Sequence, residues 1–430
     1  MYQQVEQLIL FKPKSDSILG RIADLSKREV ASAGELSFEL CRLIELAFEW
    51  NFSGDLWNCY LTYFLLTDEN AFTLSRERKM CEDDALSAVA RRDVGIIRGL
   101  FGYDLEGLCK RCGLDGVDSL REFNILKALK RSDAGEILAK AAERLSGAES
   151  DDEFYDILTQ IYRTLGVGEM GFYRAFRIDT SSGKAEIKPI ISADPARFSD
   201  IVGYDEQKSE LLKNTRAFLA GKAANNVLLY GDGGSGKSTS IKALINECWE
   251  DGLRLIEAYK YQMSYLPDVI AKIKGRGYKF ILYIDDLSFE EFEAEYKFLK
   301  SVIEGDVEGK PENLLVYATS NRRHLVRETW RDRGDMEHNN DMHHSDTLEE
   351  KLSLASRFGL SINFSTPSRK QYHDIVAALA RKNGVIMDEE ELFRKADAWE
   401  IRRGGMSGRA AQQFINYMIG SGGEPQGQKE

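Results

Sequence analysis

The chain has 430 residues, enough for two or more domains, and 43% of them are hydrophobic, enough for real cores. Its formal net charge of −12 argues against a broad nucleic-acid-binding surface, which would be basic, while leaving room for a local basic channel. The N-terminus lacks the features of a signal peptide, no apolar stretch reaches the ~20 residues that span a bilayer, and six scattered cysteines form no disulfide framework; a cytoplasmic protein without a membrane partner is expected.

Residues 1–145 read as a mostly helical region. Apolar positions spaced i, i+3 and i+4 predict helices over 36–48, 55–66, 84–100 and 119–145. The aromatic cluster Phe48, Trp50, Phe52, Trp57, Tyr60, Tyr63 and Phe64 is expected to pack a core rather than form a docking surface. Cys109 and Cys112 make a lone C-x-x-C. A zinc site would need a second pair or nearby histidines, so buried or incidental thiols are expected. Residues 146–197 read as an αβ connector. It opens on a charged break at 147–153, and its strands at 171–178 and 185–191 flank the turn 179–183 as a hairpin.

From 198 to 366, apolar runs alternate with helical patterns, as in an α/β parallel sheet. The strand candidates are 226–230, 253–258, 279–284, 314–318 and 360–364. His338, His343 and His344 lie around Asp341 in a polar stretch, 331–346, which reads as a solvated loop rather than a metal site. Residues 367–420 read as three helices, 368–382, 389–400 and 407–419, and 421–430 as a disordered Gly- and charge-rich tail.

The most specific string is Gly231-Asp232-Gly233-Gly234-Ser235-Gly236-Lys237-Ser238, which fits the P-loop pattern G-x-x-x-x-G-K-[ST]. An apolar strand precedes it, and a helical pattern from Thr239 follows. Backbone N–H groups and the helix dipole at such a junction favour a polyphosphate. Lys237 would reach the β- and γ-phosphates and Ser238 would set its hydroxyl on Mg²⁺. No Asn-Lys-x-Asp guanine-reading string is present, so ATP is the expected nucleotide.

Hydrolysis also needs a metal carboxylate, a group that positions water and positive charge on the transferring phosphoryl. The run Phe280–Ile284 ends in Asp285 and Asp286, a Walker B pattern: Asp285 for the Mg²⁺ shell, Asp286 to orient or deprotonate water. A second apolar strand ends at Asn321, which would bond the attacking water or γ-phosphate, or merely cap a turn. Arg322 and Arg323 follow it and read as solvent- or interface-facing. Arg357, before the fifth strand, suits an arginine finger donated to a neighbouring subunit, or a surface salt bridge. Arg409, opening the last helix, would reach back to the phosphates or stand exposed.

Walker A, Walker B, Thr-Ser-Asn, Ser-Arg-Phe and Ser-Gly-Arg in this order, with a helical tail, resemble the AAA+ ATPases. The resemblance runs from about 198 to 419. The Asp-Asp-Leu-Ser-Phe-Glu and Thr-Ser-Asn-Arg-Arg-His-Leu strings are closer still to one bacterial branch, the DUF815 proteins. It implies an α/β P-loop NTPase fold of AAA+ type: a parallel five-stranded sheet of order 5-1-4-3-2, a C-terminal helical lid and a separate, mostly helical N-terminal region. It implies sensor 1 at Asn321, the finger at Arg357 and sensor 2 at Arg409, with Val202, Gly203 and Tyr204 on the adenine side. The nucleotide would lie on residues 231–239, from Gly231 through Thr239.

One departure matters: most Walker B motifs of this kind end Asp-Glu, and here Asp286 takes the second place. Its carboxylate sits about 1.5 Å further back, one C–C bond, which predicts slow hydrolysis, and Glu290 or Glu291 lies just beyond. The expected protein is a Mg-dependent ATPase that assembles as a homo-oligomer and remodels an unknown protein client recruited by the N-terminal region. The rivals are an ATP-dependent switch that barely hydrolyses, a P-loop kinase using Arg402, Arg403 and Arg409, and a DNA-linked loader, which no helix-turn-helix or basic arm supports.

Overall fold

The computed structural model describes residues 1–28, 32–80, 85–115, 120–121, 123–124, 133–288, 295–305, 309, 311–321, 354–403 and 405–420. Its chain divides into two units, Met1–Tyr173 with Gly275–Gly277, and Arg174–Lys274 with Tyr278–Glu430. The His338–His344 loop, Glu290, Glu291, Arg322, Arg323 and the tail lie outside the described residues.

The first unit is helical: α1 (Tyr2–Glu6), α2 (Ile18–Lys27), α3 (Ala33–Trp50), α4 (Leu56–Thr67), α5 (Ala71–Glu77), α6 (Ala85–Phe101), α7 (Leu105–Arg111), α8 (Asp133–Ser146), α9 (Asp151–Thr164) and α10 (Glu169–Phe172). Leu36, Leu40, Leu43 and Ala47 follow helical spacing along α3 and are buried with Leu61 and Leu65 of α4, Ile97 of α6 and Leu158 of α9. Trp50, Phe52, Trp57 and Tyr60 join this core, and Trp50 meets Tyr63 and Phe172 edge-on at 4.8 and 5.0 Å. Phe48 alone of the cluster is largely exposed. Cys109 and Cys112 are both buried, and burial pushes the Cys109 thiol up to about 11.

Two expectations need correction in this unit. Of the helix expected over 119–145, the described part is Asp133–Ser146, while Phe123–Asn124 (β2) is extended instead and pairs antiparallel with Ser53–Gly54 (β1). The break read over 147–153 is present only at 147–150, between α8 and α9. Ser150 caps α9, its hydroxyl accepting from the Glu153 N–H at 3.1 Å, and Asp151, Asp152 and Glu153 fill the first turn, where the helix dipole favours negative charge.

Two buried carboxylates organise the unit. Asp93 accepts from the backbone N–H groups of Ile9, Leu10 and Phe11 at 2.8, 2.7 and 3.3 Å. Glu77 takes two bonds from the Arg276 guanidinium, at 2.7 and 2.8 Å, and Glu69 a third at 2.9 Å.

The second unit holds one sheet of order β4-β3-β6-β7-β8-β5-β9. Its strands are β3 (Ala175–Asp179), β4 (Glu186–Pro189), β5 (Val227–Gly231), β6 (Leu253–Glu257), β7 (Lys279–Ile284), β8 (Leu314–Ser320) and β9 (Leu360–Phe364). Numbering the five expected strands from β5, their order is 5-1-4-3-2, all parallel. The expected hairpin is present as β3 and β4, but it extends the sheet to seven strands, β3 pairing parallel with β6. Every residue of β8 is buried, as a central parallel strand demands.

Helices α11 (Asp205–Leu219) and α12 (Lys237–Cys248) cover one face of the sheet, packing Leu211, Phe218, Ile241 and Leu244 against Leu229, Ile281, Tyr283 and Tyr317. Helices α13 (Leu266–Ile273) and α14 (Glu295–Glu304) complete this part. The lid is α15 (Arg369–Lys382), α16 (Glu389–Arg403) and α17 (Gly408–Gly420), closed over Tyr372, Val376, Ala396, Phe414 and Ile415. Among the described residues no helix is long and apolar enough to cross a membrane, and no cluster of His, Cys, Asp and Glu could by itself hold a metal ion.

Candidate active site

The P-loop leaves β5 at Gly231 and enters α12 at Lys237. A Cβ on Gly231 would fall 2.1 Å from the Phe364 carbonyl oxygen of β9, so no side chain fits there. Gly236, the N-cap of α12, has φ +96°, a left-handed value that glycine adopts without strain.

Lys237 is almost fully buried. Its ammonium donates to the carbonyl oxygens of Gly231 and Asp232 at 2.9 and 2.7 Å, and to Asn321 Oδ1 at 3.1 Å. Burial holds its pKa below the usual lysine range, against the pull of Asp232, Asp286 and Asp285. With its donors turned inward onto loop carbonyls, the side chain is folded back along the P-loop.

Asp285 and Asp286 follow β7 directly. The Ser238 hydroxyl donates to Asp285 Oδ1 at 2.7 Å, and the Thr319 hydroxyl of β8 donates to the same oxygen. Burial opposes the ionised form of Asp285, but the hydroxyl donors Thr319 and Ser238, with the Tyr283 phenol close by, outweigh it and hold the carboxyl below its ordinary value. Asp286 adopts φ +50°, which aspartate tolerates better than most residues. The turn is pinned by two bonds to β8: Asp286 N–H to Thr319 Oγ1 at 2.9 Å and Leu287 N–H to the Thr319 carbonyl at 2.7 Å. That conformation brings Asp286 Oδ1 within 2.8 Å of the Asn321 side-chain N–H.

Asp232 turns its side chain away from the loop. Its Oδ2 accepts from the Thr366 N–H at 2.9 Å and the Thr366 hydroxyl at 2.6 Å, and these bonds hold its carboxyl below the usual range. Ser235 donates to the Asp232 carbonyl at 2.8 Å. Val202 packs against the lid core, and Gly203 and Tyr204 have φ +78° and +57°. The Tyr204 ring stacks on Phe364 at 5.2 Å and its hydroxyl donates to the Ser365 carbonyl at 2.7 Å.

Ser407 and the Cβ of Arg409 stand beside Gly234, where a Cβ would approach them to 3.1–3.3 Å, so the start of α17 rests on the P-loop. Arg357 is ion-paired with Glu304 of α14 in the same chain. Gly231 to Thr239, Val202 to Tyr204, Asp285, Asp286, Asn321 and Arg409 are thus brought round one loop, while Arg357 is engaged with α14. Thr319, Thr366 and Tyr283 were not singled out from the sequence. Thr319 stood in the polar end of β8, and Tyr283 was the one hydroxyl in the apolar run 280–284; Thr366 carried no signal.

A parallel 5-1-4-3-2 core, a P-loop after its first strand, an acid pair after its third, a polar end to its fourth and a helical lid define a P-loop protein of the AAA+ class. The chain belongs to the family described as "Protein of unknown function (DUF815)", which matches residues 172–422. Among solved structures, a mutant of Thermotoga maritima RuvB is similar at 18% identity, covering 54% of this chain and 69% of that one, with a TM-score of 0.37. The T. maritima RuvB described as a Holliday junction branch migration motor is similar at 14% identity over 52% of this chain and 72% of that one, TM-score 0.32. No curated protein matches.

Proposed function

We propose that this protein is a Mg-dependent ATPase that couples nucleotide binding and hydrolysis to conformational change in an assembly of its own copies, acting on a protein client recruited by the N-terminal region. The observation that carries the proposal is the hydrogen-bonded chain from Lys237 through Asn321 to Asp286, beside the Ser238–Asp285 pair. It joins a phosphate-binding cation, a polar sensor and a water-orienting carboxylate at the ends of three adjacent strands.

The donor set suits magnesium: a hydroxyl and a carboxylate, hard oxygen ligands with no sulfur or imidazole among them. Ser238 would hold the metal directly, and Asp285 would hold its water shell. When bound, the ion neutralises charge on the β- and γ-phosphate oxygens. The chain's own residues do the rest. The 231–236 turn offers backbone N–H groups to the phosphates. Lys237 exchanges its carbonyl partners for phosphate oxygens and brings positive charge to the transferring group. Asp286 accepts a proton from, or orients, the attacking water, and Asn321 holds that carboxylate in place.

Arg409 enters from the lid beside Gly234 and would report the occupied site to α17. Arg357 would exchange Glu304 for the nucleotide of a neighbouring subunit, completing the charge on the transferring phosphoryl in trans. The test is turnover across a protein concentration series. A rate per subunit that rises with assembly supports the proposal. Lys237→Ala abolishes nucleotide binding or turnover, and Arg357→Ala keeps binding and loses turnover. Normal hydrolysis by Arg357→Ala refutes the trans role.

A slow switch remains the second reading, and the short carboxylate of Asp286 favours it. It differs in one measurable respect: nucleotide drives assembly, but turnover stays near background at every concentration.

A further inference from the structure

One polar atom beneath the site takes no part in the chemistry above. Tyr283 lies in β7 two residues before Asp285, which stands in the turn directly after the strand, and the two side chains are close to each other. The residue is 2% exposed. Its hydroxyl is buried and has no hydrogen-bond partner of acceptable geometry. Ser238, Asp285 and Thr319 are nonetheless the polar groups around it.

A buried hydroxyl without a partner is unfavourable, and a phenylalanine of nearly the same volume would avoid the penalty. On the opposite face of β7, Phe280, Leu282 and Ile284 are wholly apolar. The hydroxyl therefore sits where, unpaired, it costs stability, and where its polar neighbours among the described residues include Ser238 and Asp285, the groups expected to hold the metal end of the nucleotide. Asp285 Oδ1 accepts from both Ser238 and Thr319. The carboxylate's other lone pairs are the acceptors left for the phenol.

We propose that Tyr283 is a positioning residue for the metal end of the site, donating its hydroxyl to the Asp285 carboxylate when Mg²⁺–nucleotide is bound. Thr319 fixes one oxygen of that carboxylate from β8 and Tyr283 fixes it from below, so that Asp285 presents a set orientation to the metal shell. Such outer partners commonly set metal affinity by 10–100-fold in other proteins. This inference rests on the nucleotide-binding proposal above.

The test uses full-length protein and a fluorescent N-methylanthraniloyl-ADP, titrated with Mg²⁺ and with EDTA. In Tyr283→Phe, binding in Mg²⁺ weakens about tenfold and the half-saturating Mg²⁺ concentration rises about as much, while binding in EDTA stays within about twofold of wild type. The melting temperature of the nucleotide-free variant equals or exceeds that of wild type, because an unpaired buried hydroxyl has been removed; its rise on adding Mg²⁺–ADP is smaller. In an Asp285→Asn background the same substitution has no further effect on the Mg²⁺ dependence.

Equal Mg²⁺ dependence in wild type and Tyr283→Phe overturns the inference and leaves the nucleotide site standing. Equal losses in Mg²⁺ and in EDTA, or a lower melting temperature without nucleotide, show a packing role and overturn it too. Failure of the wild type to bind the probe at all overturns the nucleotide site and the inference with it.

Discussion

The Asn321 side-chain amide donates to the Asp286 carboxylate at 2.8 Å, while its oxygen accepts from the Lys237 ammonium at 3.1 Å. One neutral side chain at the end of β8 thus holds apart, and in register, the P-loop cation proposed to serve the phosphates and the carboxylate proposed to serve water. Removing it frees both. Asn321→Ala is expected to lower kcat by about 10–100-fold, less than the ~10²–10⁴-fold of a general acid or base itself, because Asn321 only holds the carboxylate in place. Nucleotide affinity changes by no more than about threefold, since the P-loop backbone is unaltered and Lys237 keeps its Gly231 and Asp232 carbonyl partners. Steady-state turnover and equilibrium binding measured on the same preparation separate the two effects.

Asp286 combines an unusual backbone with a short side chain. At φ +50° an aspartate is tolerated, whereas glutamate lacks the short side chain that bonds locally in this region. Asp286→Glu is expected to raise kcat about tenfold by extending the carboxylate toward water, and to destabilise the protein by about 1 kcal/mol. Asp286→Asn binds nucleotide and loses turnover. A glutamate variant slower than wild type would show that the turn has been built around the shorter acid.

The Asp232–Thr366 bonds tie the P-loop to the segment between β9 and the lid. Both bonds need the ionised carboxylate, and Thr366 holds the Asp232 pKa below its usual 3.8. With the folded pKa depressed, the tie contributes fully above 3.8 and is lost as pH falls through the lower folded value. Thr366→Val removes the hydroxyl donor but keeps the N–H. Its melting temperature is expected to lie below that of wild type at pH 7, with the gap closing as pH falls below about 3.8. Because Asp232 is exposed, solvent screening keeps the effect at pH 7 to about 1 kcal/mol or less. A gap independent of pH would place the loss elsewhere.

In the helical unit, Asp93 is fully buried and accepts three backbone N–H groups from the segment after α1. Asp93→Ala strands these donors without removing any from the interior. A loss of about 2–4 kcal/mol in urea unfolding is expected, more than a surface charge would cost. Asp93→Asn keeps one acceptor oxygen and should recover part of it. Nucleotide binding, measured in parallel at a temperature where the variant is folded, should be unchanged.

Much of the second unit was legible along the chain. The strands at 279–284 and 360–364 were expected at their observed limits, because continuous apolar runs bounded by polar residues have few other ways to be buried. Legibility failed where a feature depends on a distant partner. Phe123–Asn124 is a strand only because Ser53–Gly54 lies opposite, and helical spacing hid it. The acids at 151–153 looked like a break because their charge was weighed without the Ser150 cap that turns them into a first helical turn. Asp232 was taken for a phosphate-side residue, and nothing near it in sequence announces Thr366.

By itself the amino-acid order determined the class of the site. A P-loop, an acidic strand end, a polar strand end and the lid arginine are local strings whose chemistry follows from residue type and from the strand or helix that each one ends or begins. What only the tertiary structure decided is how those strings address one another: that Asn321 joins Lys237 to Asp286, that Arg357 pairs with Glu304, that Asp232 leaves the loop for Thr366, and that the Tyr283 hydroxyl lies buried and unpaired beneath Asp285. The reason is geometric. Parallel strands adjacent in the sheet are separated in sequence by whole crossovers, so side chains meeting within 3 Å at their ends carry no shared local signal.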